Sequence, residues 1–149
     1  MFRGNHLAKI DEKGRLKLPA AFKQLIDAAN VTQFYITSAD GNSAEIWPLP
    51  EWEKREKLLN EHSTMDEAVD NYLTWTSNYG HQVEMDNQAR VTLPQMLRED
   101  AKLDAEVAVF GKLTYLEVKN GELLKQELAA KKVTPEQRQR LASIFRQQQ

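Results

Sequence analysis

Three basic residues lie close together near the start of the chain, at Lys13, Arg15 and Lys17. An arginine can bind a phosphate or a guanine edge through two parallel hydrogen bonds, and a lysine supplies a compact positive charge. These residue types on a projecting turn therefore suit contact with nucleic acid. The simpler interpretation is that Arg15 pairs with Asp11 across the turn and only stiffens it. The residue types alone leave both interpretations open.

The segment that carries these residues, Asp11 to Pro19, returns in altered form 75 residues later, as Asp86 to Pro94. Residues 6–23 and 81–98 share a histidine, an aspartate, an arginine, a leucine and a proline at matching positions. Such self-similarity indicates two copies of one structural unit. A unit of about 45 residues is near the lower limit for an independent core. We therefore expect the units to pack against each other or against copies in other chains.

The elements that position the basic residues follow from the local pattern. Gly14 can supply a positive φ in the turn, and the alternation that follows places Leu16 and Leu18 on a core face while Arg15 and Lys17 point outward. The strands on either side of this turn should form a hairpin. The first unit is thus predicted to be β-β-α-β-β, with strands at 6–10, 15–18, 34–37 and 44–47 and a helix after Pro19.

The rest of the chain is predicted to hold a second such unit and two helical segments. Thr64 with Glu67 and Thr134 with Gln137 have the spacing of capping boxes, which mark helix starts. The fold class is therefore α+β, divided into a first repeat at 1–52, a helical insertion at 53–80, a second repeat at 81–121 and a helical extension at 122–149.

The composition excludes several classes of function. The 149 residues include no cysteine, which excludes disulfides and thiolate chemistry and fits a cytoplasmic protein. No segment is long enough to span a membrane. The chain has no glycine-rich phosphate loop and no nucleophile motif, and its histidines lack metal-ligand spacing. We therefore expect no enzyme, no cofactor, no metal and no small-molecule substrate.

Charge is unevenly distributed along the chain, although the net charge is only −2. Residues 1–23 and 128–149 each carry +4, so the segment between them carries −10. An acidic body with two basic ends is a polarised molecule, and the alternative is that charge segregates in this way by chance on solvated surfaces.

Four segments together give a specific resemblance: Met1-Phe2-Arg3-Gly4, Asp11-x-x-Gly14-Arg15-Leu16-x-Leu18-Pro19, Trp47-Pro48-Leu49-x-x-Trp52-Glu53 and Asp86-x-x-x-Arg90-Val91-x-Leu93-Pro94. In this order they resemble the MraZ family of bacterial transcriptional regulators over roughly residues 1–120. The resemblance implies two SpoVT-AbrB-type units interleaved as a swapped-hairpin β-barrel, and a ring of protomers. It also implies a nucleoid-associated protein bound to short direct repeats in the promoter of the division and cell-wall gene cluster.

The resemblance places the DNA-contacting arginine at Arg15 and its counterpart at Arg90. We expect Lys13 and Lys17 to help Arg15 contact double-stranded DNA, with Arg3 and Lys9 as further basic candidates. The second copy departs from the family pattern, because Ala89 replaces glycine; a positive φ there would cost about 1 kcal/mol and could reshape the turn. With less charge as well, this copy should mainly complete the barrel.

Two alternatives remain open at this stage. In the first, the chain is an oligomeric scaffold that does not bind DNA, and the turns make subunit contacts. In the second, it is an AbrB-type antitoxin whose basic C-terminal helix captures a partner protein, although such antitoxins typically carry one unit per chain.

Overall fold

The computed structural model describes residues 1–62 and 65–147 and has an α+β architecture, as predicted. The first half holds strands β1 (Asn5–Lys9), β2 (Arg15–Lys17), β3 (Gln33–Thr37) and β4 (Ala44–Pro48), with helices α1 (Ala20–Ala28), α2 (Leu49–Asn60) and α3 (Glu67–Asn78). The second half holds strands β5 (His81–Glu84), β6 (Arg90–Thr92), β7 (Glu106–Gly111) and β8 (Leu116–Asn120), with helices α4 (Gln95–Asp100), α5 (Gly121–Ala130) and α6 (Pro135–Arg146).

Strands of the two repeats pair with each other. A six-stranded antiparallel sheet has the order β1-β7-β8-β4-β3-β5, so each repeat contributes its first strand to the edge of the other repeat's strands. The remaining strands, β2 and β6, form a two-stranded antiparallel sheet of their own. Neither repeat could make either sheet alone.

The local hairpin expected between the strands at 6–10 and 15–18 is therefore wrong. The turn itself forms, with the Asp11 N–H donating to the Arg15 carbonyl at 3.0 Å, and one bridge joins Ile10 to Leu16. Beyond that bridge, β1 pairs with β7 and β2 with β6. An isolated two-stranded hairpin is marginal in water, whereas the exchange places both strands over a shared core.

One hydrophobic core collects side chains from both repeats. The pairs at equivalent repeat positions are each at most 3% exposed: Leu16 with Val91, Leu18 with Leu93, and Phe22 with Leu97. The Phe2 ring also meets the Phe22 ring edge-on, with centroids 5.7 Å apart. Burial at these positions holds β2, β6 and the helices that follow them as one body.

The helical insertion packs on the sheet through aromatic rings. Trp52 of α2 stacks on Tyr35 of β3 with centroids 4.7 Å apart and meets Trp47 of β4 edge-on at 5.4 Å. The hydroxyls of Tyr35 and Thr37 both donate to the Thr76 carbonyl of α3, at 3.1 and 2.6 Å. These contacts fix α2 and α3 against β3 and β4.

The helix starts can be compared with the predicted caps. Thr64 lies outside the described residues, and the cap that the structure gives α3 is Asp66, whose side chain accepts from two backbone N–H groups. The capping box of Thr134 with Gln137 is confirmed at the start of α6. Helix α6 buries no residue of its own.

No helix in the described ranges is long and apolar enough to cross a membrane. The division into two repeats, an insertion and an extension stays a prediction.

Candidate nucleic-acid interface

The Asp11 turn is held by a three-way contact to one carboxylate. Asp11 Oδ1 accepts from the backbone N–H groups of Lys13 and Arg15, at 3.0 and 2.9 Å. Oδ2 accepts from Arg15 Nε at 2.7 Å. The pairing of Arg15 with Asp11, considered as the simpler interpretation of the motif, is therefore present. Both side chains remain about one-third exposed, at 31% and 34%, so the pair lies on the surface.

The Asp86 turn repeats this geometry. Oδ1 accepts from the backbone N–H groups of Gln88 and Arg90, both at 2.9 Å, and Oδ2 accepts from Arg90 Nε at 2.8 Å. Ala89 adopts a φ of 61°, close to the 80° of Gly14. The expectation that alanine reshapes this turn is therefore wrong.

Hydrogen bonds lower the pKa of both aspartates. For Asp11 the backbone N–H of Arg15 has the largest effect, and the Arg15 side chain and the Lys13 N–H add to it against partial desolvation. For Asp86 the pKa is lowered in the same way by Arg90 and Gln88. The hydrogen bonds thus favour the charged form of both carboxylates, and each accepts from its arginine.

The two turns are joined by strands β2 and β6, which we call the ribbon. Its register places Arg15 opposite Thr92, Leu16 opposite Val91, and Lys17 opposite Arg90. The central pair is fully buried, while Lys17 and Thr92 are exposed and both arginines half-buried. The alternation of a strand therefore puts Arg15, Lys17, Arg90 and Thr92 together on the outer face.

The other predicted residues are farther from this face. Lys13 is exposed in the first turn, beside the ribbon, and Gln88 takes its place in the second. Lys9 ends β1 opposite Glu106. Arg3 precedes the other end of β1, before the bend at Gly4. The structure thus brings Arg15, Lys17 and Arg90 together on the outer face, with Lys13 beside it, whereas Lys9 and Arg3 lie at opposite ends of β1, which pairs with β7.

Two residues of this region were missed from the sequence. Thr92 belongs to the outer face and occupies the repeat position of Lys17, a signal that the alignment of the two motifs already contained. Arg98 lies over Gly14: its Nε donates to the Leu93 carbonyl at 3.1 Å, and a Cβ on Gly14 would be 2.6 Å from its Cζ. No local pattern could predict that contact, because it joins the two repeats.

The described part of the chain contains no group of three or more histidine, cysteine, aspartate or glutamate side chains that could hold a metal ion.

Comparison with known proteins gives the family. The family model of the MraZ protein, whose description suggests an antitoxin-like character, matches residues 1–73 and 79–132. A transcriptional regulator MraZ of Acidobacterium capsulatum is 52% identical over 144 residues, which cover 97% of this chain and 99% of that protein. Its counterpart in Koribacter versatilis is 44% identical over 145 residues, with the same coverage of both chains. The chain belongs to the MraZ family.

Membership of the MraZ family confirms the resemblance read from the motifs, and the family is one of transcriptional regulators rather than enzymes. A more distant MraZ protein, from Thiobacillus denitrificans, is 33% identical over 120 residues, covering 80% of this chain and 81% of that protein. The MraZ model covers both motif copies and ends before helix α6. The ribbon is thus within the matched part of the chain.

Proposed function

We propose that this MraZ-family chain regulates transcription by binding double-stranded promoter DNA in a sequence-specific way through the outer face of the ribbon. Its DNA-contacting residues are Arg15, Lys13, Lys17 and Arg90, with Arg3 and Lys9 as outlying contacts. It acts in the cytoplasm, on the nucleoid, as a ring-like homo-oligomer. Its targets are short direct repeats in the promoter of the division and cell-wall gene cluster.

The observation that carries this proposal is the composition of the ribbon's two faces. Arg15 and Lys17 come from one strand and Arg90 from the other, on an exposed face, while Leu16 and Val91 anchor the opposite face in the core. The major groove is about 12 Å wide and admits a two-stranded ribbon. Arginine is the side chain best suited to read a guanine edge there.

A single ribbon offers few contacts, so tight binding needs several copies on one assembly. Linked sites can raise avidity by about 10²–10⁴ without new contacts. Helix α6 supports self-association, because it buries no residue and leaves Leu141, Ile144 and Phe145 at least 38% exposed. Direct repeats in DNA then match copies of the ribbon presented in one orientation around a ring.

We infer that the two sheets belong to one β-barrel. The bridge between Ile10 and Leu16 connects β2 to the end of β1, and the Asp11 N–H donates to the Arg15 carbonyl at 3.0 Å. The equivalent bond of the second repeat runs from the Asp86 N–H to the Arg90 carbonyl, also at 3.0 Å. These bonds support a continuous wall, in which the ribbon is a part of the barrel that projects outward.

The test compares Arg15→Ala with the unaltered chain on a duplex from the region upstream of its own gene. Losing one arginine–base contact should weaken specific binding by roughly 5- to 150-fold for each site engaged, equivalent to about 1–3 kcal/mol. Binding of the unaltered protein should weaken with salt, with a log–log slope of roughly −0.9 per neutralised phosphate. Thermal stability should change little, because the Arg15 side chain is at the surface.

Lys54→Ala is the matched control, since it removes one positive charge from an exposed side chain of α2, away from the ribbon. It should leave specific affinity within about twofold. An Arg15→Ala variant that binds as tightly as this control contradicts the proposed function. Absence of salt-sensitive binding to any duplex would instead favour the scaffold, and a small protein that co-purifies in a fixed ratio would favour the antitoxin.

A further inference from the structure

The two ribbon arginines are each held from one side by an aspartate. In both turns the carboxylate accepts a hydrogen bond from Nε of the arginine four residues later in the chain. The two Nε–Oδ2 distances, 2.7 and 2.8 Å, agree closely. No acceptor among the described residues binds the terminal nitrogens of Arg15 or Arg90. The end of each guanidinium, with its two terminal nitrogens, is therefore left for a partner outside the chain.

An aspartate at this position has an electrostatic disadvantage on a DNA-binding face. A carboxylate repels phosphates, and Asp11 and Asp86 are charged at neutral pH as ordinary aspartates are, with hydrogen bonds that lower the pKa of each further. The backbone of the turn alone does not need that charge, because a neutral side-chain oxygen can also accept from the N–H groups of Lys13 and Arg15. The contact that does need a carboxylate is the one made by Oδ2, which accepts from Arg15 Nε.

We propose that Asp11 and Asp86 are positioning residues for DNA recognition, which fix Arg15 and Arg90 by their Nε atoms so that the guanidinium ends face the base edges. The inference rests on the proposed function and adds how the arginines gain specificity. An arginine that is already ordered loses less conformational freedom on binding, and a fixed plane accepts only one orientation of the guanine edge.

Asp11→Asn separates positioning from turn formation. The asparagine oxygen can still accept from both backbone N–H groups, but its amide nitrogen takes the place of Oδ2 and cannot accept from Arg15 Nε. Specific affinity should fall by roughly 2- to 10-fold for each site, the cost of ordering a free arginine side chain. Affinity for a scrambled duplex of the same length should stay equal or rise, because a negative charge has been removed.

Glu12→Gln is the charge-matched control, because Glu12 is exposed in the same turn and is not part of the three-way contact. It should raise affinity for both duplexes to a similar extent. The ratio of specific to scrambled affinity therefore falls for Asp11→Asn and stays constant for Glu12→Gln. A merely structural role of Asp11 would not change that ratio while the fold is intact.

Two further measurements keep the outcomes separate. The Nε–H signal of Arg15 in a ¹⁵N NMR spectrum of the free protein should be protected from exchange in the unaltered chain and lost in Asp11→Asn. Should that variant fail to fold, Asp11→Ser, whose hydroxyl supports the turn but does not reach Nε, takes its place. If Arg15→Ala abolishes specific binding but the Asp11 variant keeps the affinity ratio of Glu12→Gln, the positioning role is overturned and the proposed function stands. If Arg15→Ala has no effect on binding, the proposed function fails with it.

Discussion

Gly14→Ala should destabilise the fold because of a contact between the two repeats. Gly14 has a φ of +80°, and a Cβ at this position would lie 2.6 Å from Cζ, 2.7 Å from Nε and 2.8 Å from Nη2 of Arg98. Favourable contacts between carbon atoms begin at about 3.5 Å, so the Arg98 side chain must move away. It would then lose the hydrogen bond from its Nε to the Leu93 carbonyl.

The magnitude follows from two separate costs. Alanine in a left-handed conformation costs about 1 kcal/mol, and a typical hydrogen bond contributes about 1 kcal/mol net. Gly14→Ala should therefore lower the free energy of unfolding by about 2 kcal/mol. Arg98→Ala alone should lower it by about 1 kcal/mol. Because the arginine bond can be lost only once, the double variant should lose about 2 rather than 3 kcal/mol, a coupling of about 1 kcal/mol.

Urea unfolding followed by tryptophan fluorescence, at one protein concentration, measures this cycle. Ala89→Gly is the internal control, since the residue equivalent to Arg98 is Lys23, which pairs with Asp27 on its own helix. Relief of about 1 kcal/mol of strain there is mostly offset by the greater freedom of glycine in the unfolded chain, so the net change should stay within about 0.5 kcal/mol. If the stability losses of Gly14→Ala and Arg98→Ala sum to the loss of the double variant within about 0.3 kcal/mol, the role given to Arg98 is refuted.

Three other substitutions test separate parts of the molecule. Leu16→Ala, at a position with 0% exposure on the inner face of the ribbon, should cost about 2–5 kcal/mol in urea unfolding, and a loss below about 1 kcal/mol would contradict this packing. Burial raises the pKa of Glu45, so the folded protein disfavours its charged form and loses stability as pH rises through that pKa. Glu45→Gln, which keeps an acceptor for Trp47 Nε1, should therefore stabilise the fold at about pH 7 and much less at about pH 4. Equal gains in stability at the two pH values would contradict a destabilising charge on Glu45. Phe145→Ser on α6 should leave the circular dichroism of the folded chain unchanged, because the ring is 66% exposed, but reduce the subunit number in native mass spectrometry; an unchanged assembly mass would remove α6 from the subunit contact.

The sequence was sufficient for features that depend on neighbouring residues. The turn at Asp11, the inward direction of Leu16 and Leu18, and the capping box of Thr134 were all predicted and confirmed, because each follows from side-chain chemistry or from the period of a strand. Arg15 was placed correctly on the outer face for the same reason.

Strand pairing could not be predicted in this way. The pattern of residues 6–18 fits a local hairpin as well as it fits exchange, since both bury the same apolar side chains. The observed partner of Asn5 is Phe110, far along the chain, and that choice depends on the core as a whole. The Ala89 turn keeps its shape for a related reason: three hydrogen bonds to Asp86 oppose a strain of about 1 kcal/mol, and a propensity argument about one residue does not include them.

The exchange of strands between the repeats brings the two copies of the motif onto one surface. Because β2 pairs with β6, two arginines far apart in sequence lie on one face in equivalent positions, each held by its own aspartate. Their neighbours differ, since Lys13 and Lys17 in the first motif correspond to Gln88 and Thr92 in the second. A ribbon with identical halves would bind DNA equally well in either of two opposite orientations. The unequal charges favour one orientation, as the proposed binding of a ring to direct repeats would require, whereas a palindrome would be matched by symmetric halves.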